Sequence, residues 1–118
     1  MISDDSVKAL LEQYERFGWT LQQVLLTPEL RAALGSQINE LFRGVNLRDA
    51  NIDAAWFTRE SKHGGVAWEL RELNESPFAL IEVMDRDATK DELEAMRSVV
   101  EQKLGERQRA VITQNNNS

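Results

Sequence analysis

Residues 52–73 read IDAAWFTRESKHGGVAWELREL, and this stretch predicts a β-hairpin. Trp, Phe, Val and Ile favour strands, and Gly64-Gly65 tolerates the positive φ that a tight reversal requires. We expect antiparallel strands over 52–60 and 66–73. Because side chains alternate along a strand, every second residue of these strands points to the same, buried face. Together with Phe78 and Leu80 of a later strand, the residues of this face are Ile52, Ala54, Trp56, Thr58, Val66, Trp68 and Leu70.

A third strand is predicted over 78–84, after a short loop at 74–77. Connections this short join neighbouring antiparallel strands, so the third strand of this meander lies at an edge. It is apolar on both faces, and such an edge is usually covered. We expect it to be covered by another segment such as 45–47, by a second subunit, or by a partner peptide. Coverage within the monomer by the last helix or the tail is an equal alternative to a dimer.

The far face of the predicted sheet, which points away from the helices, is also apolar. It carries Ala55 together with the four residues named below. Contiguous apolar patches on a surface mark interfaces. We therefore predict an interface at four residues: Phe57, Ala79, Ile81 and Val83.

Helical spacing precedes the hairpin. Apolar residues three and four positions apart predict a helix over 4–17, capped by Ser3 or Asp4. After Gly18 the same spacing predicts three further helical pieces. They contain Leu21, Val24 and Leu25, then Pro28 to Leu34, and then Ile38, Leu41 and Phe42 after Ser36.

A final helix begins at a capping box formed by Thr89 and Glu92. Its apolar stripe comprises Leu93, Met96, Val99, Val100 and Leu104, and it predicts a helix to about residue 104. The fold class is therefore α+β, with N-terminal helices and a C-terminal helix packed on one face of a three- to four-stranded antiparallel β-meander. We expect a single domain over 1–112 and a flexible polar tail over 113–118.

Composition excludes several classes of function. The 118 residues carry a net charge of -6, with no basic cluster, which disfavours a nucleic-acid partner. The absence of cysteine excludes disulfides and thiolate zinc sites. Neither an export signal nor a membrane-spanning segment is visible, so we expect a soluble cytoplasmic protein without a membrane partner.

Chemical sites find little support in the sequence. His63 is the only histidine, and catalysis or zinc binding at His63 would need companion groups. Gly64-Gly65 precedes a strand, whereas a phosphate-binding loop precedes a helix. Residues 85–91 resemble a calcium loop, but Lys90 replaces the required glycine.

We therefore expect no catalytic residue, cofactor or metal. The sequence favours a non-catalytic protein-binding or adaptor module that uses 78–84, as a homodimer or with a protein partner. The alternative is a small enzyme with an acid–base site at His63 and carboxylates such as Glu69 or Asp85.

Overall fold

The computed structural model describes residues 3–74 and 78–116, with side chains to Arg109. Within these residues the chain forms an α+β fold around a five-stranded mixed sheet. The elements in chain order are α1 (Asp4–Arg16), β1 (Thr20–Leu26), α2 (Pro28–Leu34), a 3-10 turn (Gly35–Gln37), α3 (Ile38–Leu41), β2 (Asn46–Asp49), β3 (Ala54–Glu60), β4 (Val66–Glu72), β5 (Ala79–Met84) and α4 (Lys90–Asn116).

The strands lie in the order β2-β1-β3-β4-β5. β1 and β2 are parallel, and every other neighbouring pair is antiparallel. The predicted meander corresponds to β3, β4 and β5, and the edge position of its last strand is confirmed. The predicted three- to four-stranded, purely antiparallel sheet is wrong, because β1 and β2 extend it. Residues 46 and 47 pair with β1 at the opposite edge, so the suggested cover of 78–84 by 45–47 is also wrong.

The segment 20–26, for which we predicted a helical piece, is strand β1. Gly18 has a φ of 85°, a conformation that ends α1 and turns the chain into the sheet. Val24, Leu25 and Leu26 are all buried, because both faces of this inner strand are covered. A short apolar run of this kind fits helical spacing and strand spacing equally well.

The helices cover both faces of the sheet. One core joins α1, α2 and α3 to β-sheet residues that include Ala55 and Phe57. A second core joins Val100 and Leu104 of α4 to sheet residues that include Trp56. Since successive residues of a strand point to opposite faces, the expected packing of all helices on one face does not hold for α4.

The predicted hairpin face is present in the second core. Ile52, Ala54, Trp56 and Leu70 are buried there, and Trp68, Phe78 and Leu80 pack against them. The rings of Trp56 and Trp68 meet edge to face, with their centroids 6.0 Å apart.

The Gly64-Gly65 bend is confirmed as the turn between β3 and β4. The two glycines have φ values of 93° and 80°, respectively. A Cβ atom at Gly65 would lie 2.6 Å from the carbonyl oxygen of Met84, so the bend packs directly against the end of β5.

Local signals at the helix ends are also confirmed. The Ser3 hydroxyl accepts a hydrogen bond from the Ser6 amide at the start of α1. Thr89 and Glu92 form the predicted reciprocal cap before α4, with distances of 3.1 and 3.2 Å. α4 does not end near 104 but runs through Gly105 to Asn116, so part of the predicted tail at 113–118 is helical.

Candidate functional site

The hydrogen-bonding phase of β5 leaves one set of backbone groups unpaired. The Glu72 amide donates to the Phe78 carbonyl over 3.0 Å, which makes these two residues a hydrogen-bonded pair. Such pairs alternate along an antiparallel ladder, so Leu80 and Glu82 also pair with β4 through their backbones. The intervening residues are Ala79, Ile81 and Val83. Their N–H and C=O groups point outward, where no strand of the described chain pairs with them.

The same three residues, which we call the β5 strip, present apolar side chains on one face. Ile81 is 55% exposed and Val83 is 56% exposed, while Ala79 is half-buried. They lie on the α1 side of the sheet, because their partners on β4 alternate with those under α4. Since α1 packs over β1 and β3, Ile81 and Val83 remain uncovered.

The opposite face of β5 is covered by α4. Phe78 and Leu80 pack against the second core. The Arg107 guanidinium lies 3.7 Å from the centroid of the Phe78 ring, and Arg97 lies 5.6 Å from that of Trp68. These cation–π contacts hold α4 over β4 and β5, so on this face of β5 only Glu82 is exposed.

Phe57 is not part of this surface, although the sequence predicted an interface there. Its side chain is 1% exposed, and its ring stacks on Tyr14 with a centroid distance of 4.0 Å. The prediction assumed that the far face of the sheet was free of helices, whereas α1 covers it at β3. Three of the four predicted interface residues therefore lie together on β5, and the fourth lies in the core.

A second surface feature, which the sequence analysis missed, is a cavity of about 250 Å³ beside α1. Its walls include Tyr14, Phe17, Trp19, Arg59 and Glu69. Arg59 lies 4.4 Å from the centroid of the Trp19 ring and donates to the Phe17 carbonyl over 3.1 Å. The aromatic run at the end of α1 was the signal that could have identified it.

Two polar side chains of this cavity, those of Tyr14 and Glu69, bind each other. Burial raises the pKa of Tyr14 well above its usual value, and its hydrogen bond to the buried Glu69 raises that pKa further. The phenol therefore stays neutral and donates to the carboxylate at physiological pH. Arg59 lies on the Trp19 ring and bonds to the Phe17 carbonyl, so the charged and phenolic side chains of the cavity are already paired within the chain.

The predicted alternatives at His63 gain no contact from the structure. His63 is exposed at the tip of the β3–β4 turn, and in the described part of the chain no hydrogen bond or ion pair joins it to Glu69 or Asp85. The residues that the structure describes contain no group of three or more metal-binding side chains, and the calcium-like stretch at 85–91 is no exception.

None of the helices in the described ranges has the length and apolarity needed to cross a membrane. Comparison of the chain with protein-family models, with curated proteins and with solved structures finds no match. A functional assignment therefore depends on the geometry of the chain itself, and the β5 strip is its most distinctive surface feature.

Proposed function

We propose that this chain is a protein-binding module and that the outer edge of β5 is its binding element. The supporting observation is that the residues with unpaired backbone groups, Ala79, Ile81 and Val83, carry apolar side chains, and those of Ile81 and Val83 are exposed. Strand addition uses both features. Main-chain hydrogen bonds supply affinity, and alternate side chains supply specificity.

The rest of β5 suits this role. The strand pairs with β4 along its whole length, and its inner face packs against α4. The edge is therefore held in an extended conformation before any partner arrives. A preorganised edge loses less conformational entropy on binding than a segment that must order itself.

The proposal is tested by capture from a native lysate followed by amide hydrogen exchange on the captured complex. Strand addition at this edge must slow exchange at the outward amides of Ala79, Ile81 and Val83. The amides of Leu80 and Glu82 face β4, so they are slow with or without a partner. A complex in which the outward amides exchange as they do in the free chain would count against the proposal.

A pair of lysine variants supplies the control. Ile81→Lys places a charge in the strip, and we expect it to weaken capture by about tenfold or more, equivalent to roughly 1.4 kcal/mol. Phe17→Lys makes a similar change at another exposed apolar residue, one that lies at the end of α1. If both variants bind as the native chain does, or if both weaken equally, β5 is not the binding element.

A further inference from the structure

We infer that the partner of the β5 edge is a second copy of this chain, paired antiparallel about a twofold axis beside Ile81. This inference rests on the proposed function and names its partner. It joins the two sheets into one continuous sheet, with the β5 strands of the two copies side by side.

The hydrogen-bonding phase restricts the registers that are possible, and the register centred on Ile81 uses the most outward groups. A twofold axis perpendicular to the sheet pairs residues of the two copies whose numbers have a constant sum. Only the outward groups of Ala79, Ile81 and Val83 are free to bond. With the axis beside Ile81, Ile81 pairs with Ile81 of the second copy, and Ala79 pairs with Val83 of the second copy. All three outward residues then form hydrogen-bonded pairs, each exchanging two bonds.

The two neighbouring registers are less favourable. An axis beside Leu80 would leave the outward groups of Val83 without a partner from the other β5 strip, and charge disfavours the register on the other side. An axis beside Glu82 would set two carboxylates directly opposite each other, and like charges in that position destabilise a strand pair. It would also leave the outward groups of Ala79 without a partner from the other β5 strip. In the register centred on Ile81, Glu82 lies opposite Leu80 of the second copy. This register also brings the aliphatic side chains of the β5 strip into contact with those of the β5 strip in the second copy.

Val99 of α4 adds an apolar residue near the same edge of the sheet, on the opposite face from the strip. It is 53% exposed. On a helix with 3.6 residues per turn, Val99 and Glu101 lie on opposite flanks. Glu101 binds Trp56 and Arg48, on the β3 and β2 side, so Val99 faces the β5 side. Pairing of the two sheets therefore places the Val99 flanks of the two α4 helices next to each other.

The exposed hydrophobic residues are thus unevenly distributed. Among the described residues, the large hydrophobic side chains with more than half of their surface exposed are Phe17, Ile81, Val83 and Val99. All but Phe17 lie at the edge where the second copy would pair. An interface that covers this edge would bury three of these four side chains.

A single cysteine tests the register, because the native chain has none. The Cα atoms of a hydrogen-bonded antiparallel pair are about 5.5 Å apart, within the span of a disulfide. We expect Ile81→Cys to form a covalent dimer on mild oxidation. Val83→Cys is the matched control, since its two copies would be separated by four residues along the strand, roughly 14 Å. Equal cross-linking of both variants, or of neither, would overturn the register.

Sedimentation velocity of the native chain separates the inference from the proposed function. A dimer whose population rises with concentration, and which Ile81→Lys returns to monomer, supports self-pairing. A native monomer whose outward β5 amides become protected by a different protein overturns self-pairing and leaves the binding function standing. A chain whose outward amides no partner protects overturns both. Circular dichroism checks that each variant is folded.

Discussion

The two edges of the sheet are built differently. β2 is four residues long, and its charged residues are held in ion pairs, Arg48 with Glu101 of α4 and Asp49 with Arg31 of α2. β5 is six residues long, and its outward positions carry Ala79, Ile81 and Val83.

The difference indicates that protection from association is a local property of each edge. Short length and charged side chains are the features by which proteins keep a strand edge from pairing with another chain. β2 has both features. On β5 the one charged side chain, Glu82, lies on the α4 side, so the outward edge has no comparable protection. Each of the following variants changes one feature of this contrast.

The largest effect is expected from proline at an inward position of β5. Glu82→Pro removes an amide that bonds to β4 and leaves the Trp68 carbonyl without its donor, so we expect a loss of about 2 kcal/mol in the free energy of unfolding. Ile81→Pro removes an outward donor, and an edge strand tolerates this. We expect less than half that loss, but a loss of pairing with a second chain. Urea unfolding of dilute protein, followed by tryptophan fluorescence, measures the difference.

Both prolines restrict φ equally and both replace an exposed side chain, so the difference between the two variants reports chiefly on the hydrogen bond. Equal losses of stability would show that the outward and inward residues of β5 are wrongly assigned.

The next effect concerns the turn that packs against β5. Gly64 and Gly65 both have positive φ, so alanine at either position costs about 1–2 kcal/mol in strain. Only at Gly65 would the new Cβ meet the Met84 carbonyl oxygen, at 2.6 Å, while the space at Gly64 is open. We expect Gly65→Ala to lower the thermal unfolding midpoint further than Gly64→Ala and to speed amide exchange at the end of β5. Indistinguishable midpoints would contradict this packing.

Glu101 is expected to have a smaller effect, on the side of the protected edge. Its carboxylate accepts from the indole nitrogen of the buried Trp56 over 2.8 Å and pairs with Arg48. Glu101→Ala leaves the indole donor without an acceptor, and because this hydrogen bond is only partly buried we expect a loss of about 1.5 kcal/mol in the free energy of unfolding. Glu101→Gln keeps an acceptor and removes only the ion pair, so it should cost under about 1 kcal/mol. Guanidinium unfolding would refute this order if the two variants were equally unstable.

The smallest effect is expected at Asp49. Its ion pair with Arg31 spans 2.9 Å, and Asp49 is largely exposed. Exposed pairs contribute little, so Asp49→Ala should change stability by no more than about 0.5 kcal/mol and leave the oligomeric state unchanged. New association through β2 in this variant, seen by light scattering, would show that charge alone protects that edge.

Short-range features of the fold could be predicted from the sequence. The Gly64-Gly65 turn, the Thr89 cap and the shared face of Trp56 and Trp68 each depend on residues close along the chain or on strict alternation. β1 could not be distinguished from a helix, because its apolar residues fit both spacings. Its parallel pairing with β2 joins segments separated by α2 and α3, and local patterns do not encode such a pairing.

The candidate site could be predicted in part for the same reason. The apolar character of 78–84 indicated an uncovered edge, and Ile81 and Val83 are exposed there. Phe57 was misplaced because its burial depends on which face α1 covers. The outward direction of the Ile81 amide depends on the register between β4 and β5, and the sequence carries no signal for that phase.

Residue-resolved amide exchange of the native chain at low and high concentration tests the central claim most directly. The amides of Leu80 and Glu82 should be slow at both concentrations, because they bond to β4. Those of Ile81 and Val83 should be fast in dilute solution and become slow as the concentration rises and a second copy pairs with the edge. Outward amides that stay fast at every concentration would contradict self-pairing at β5.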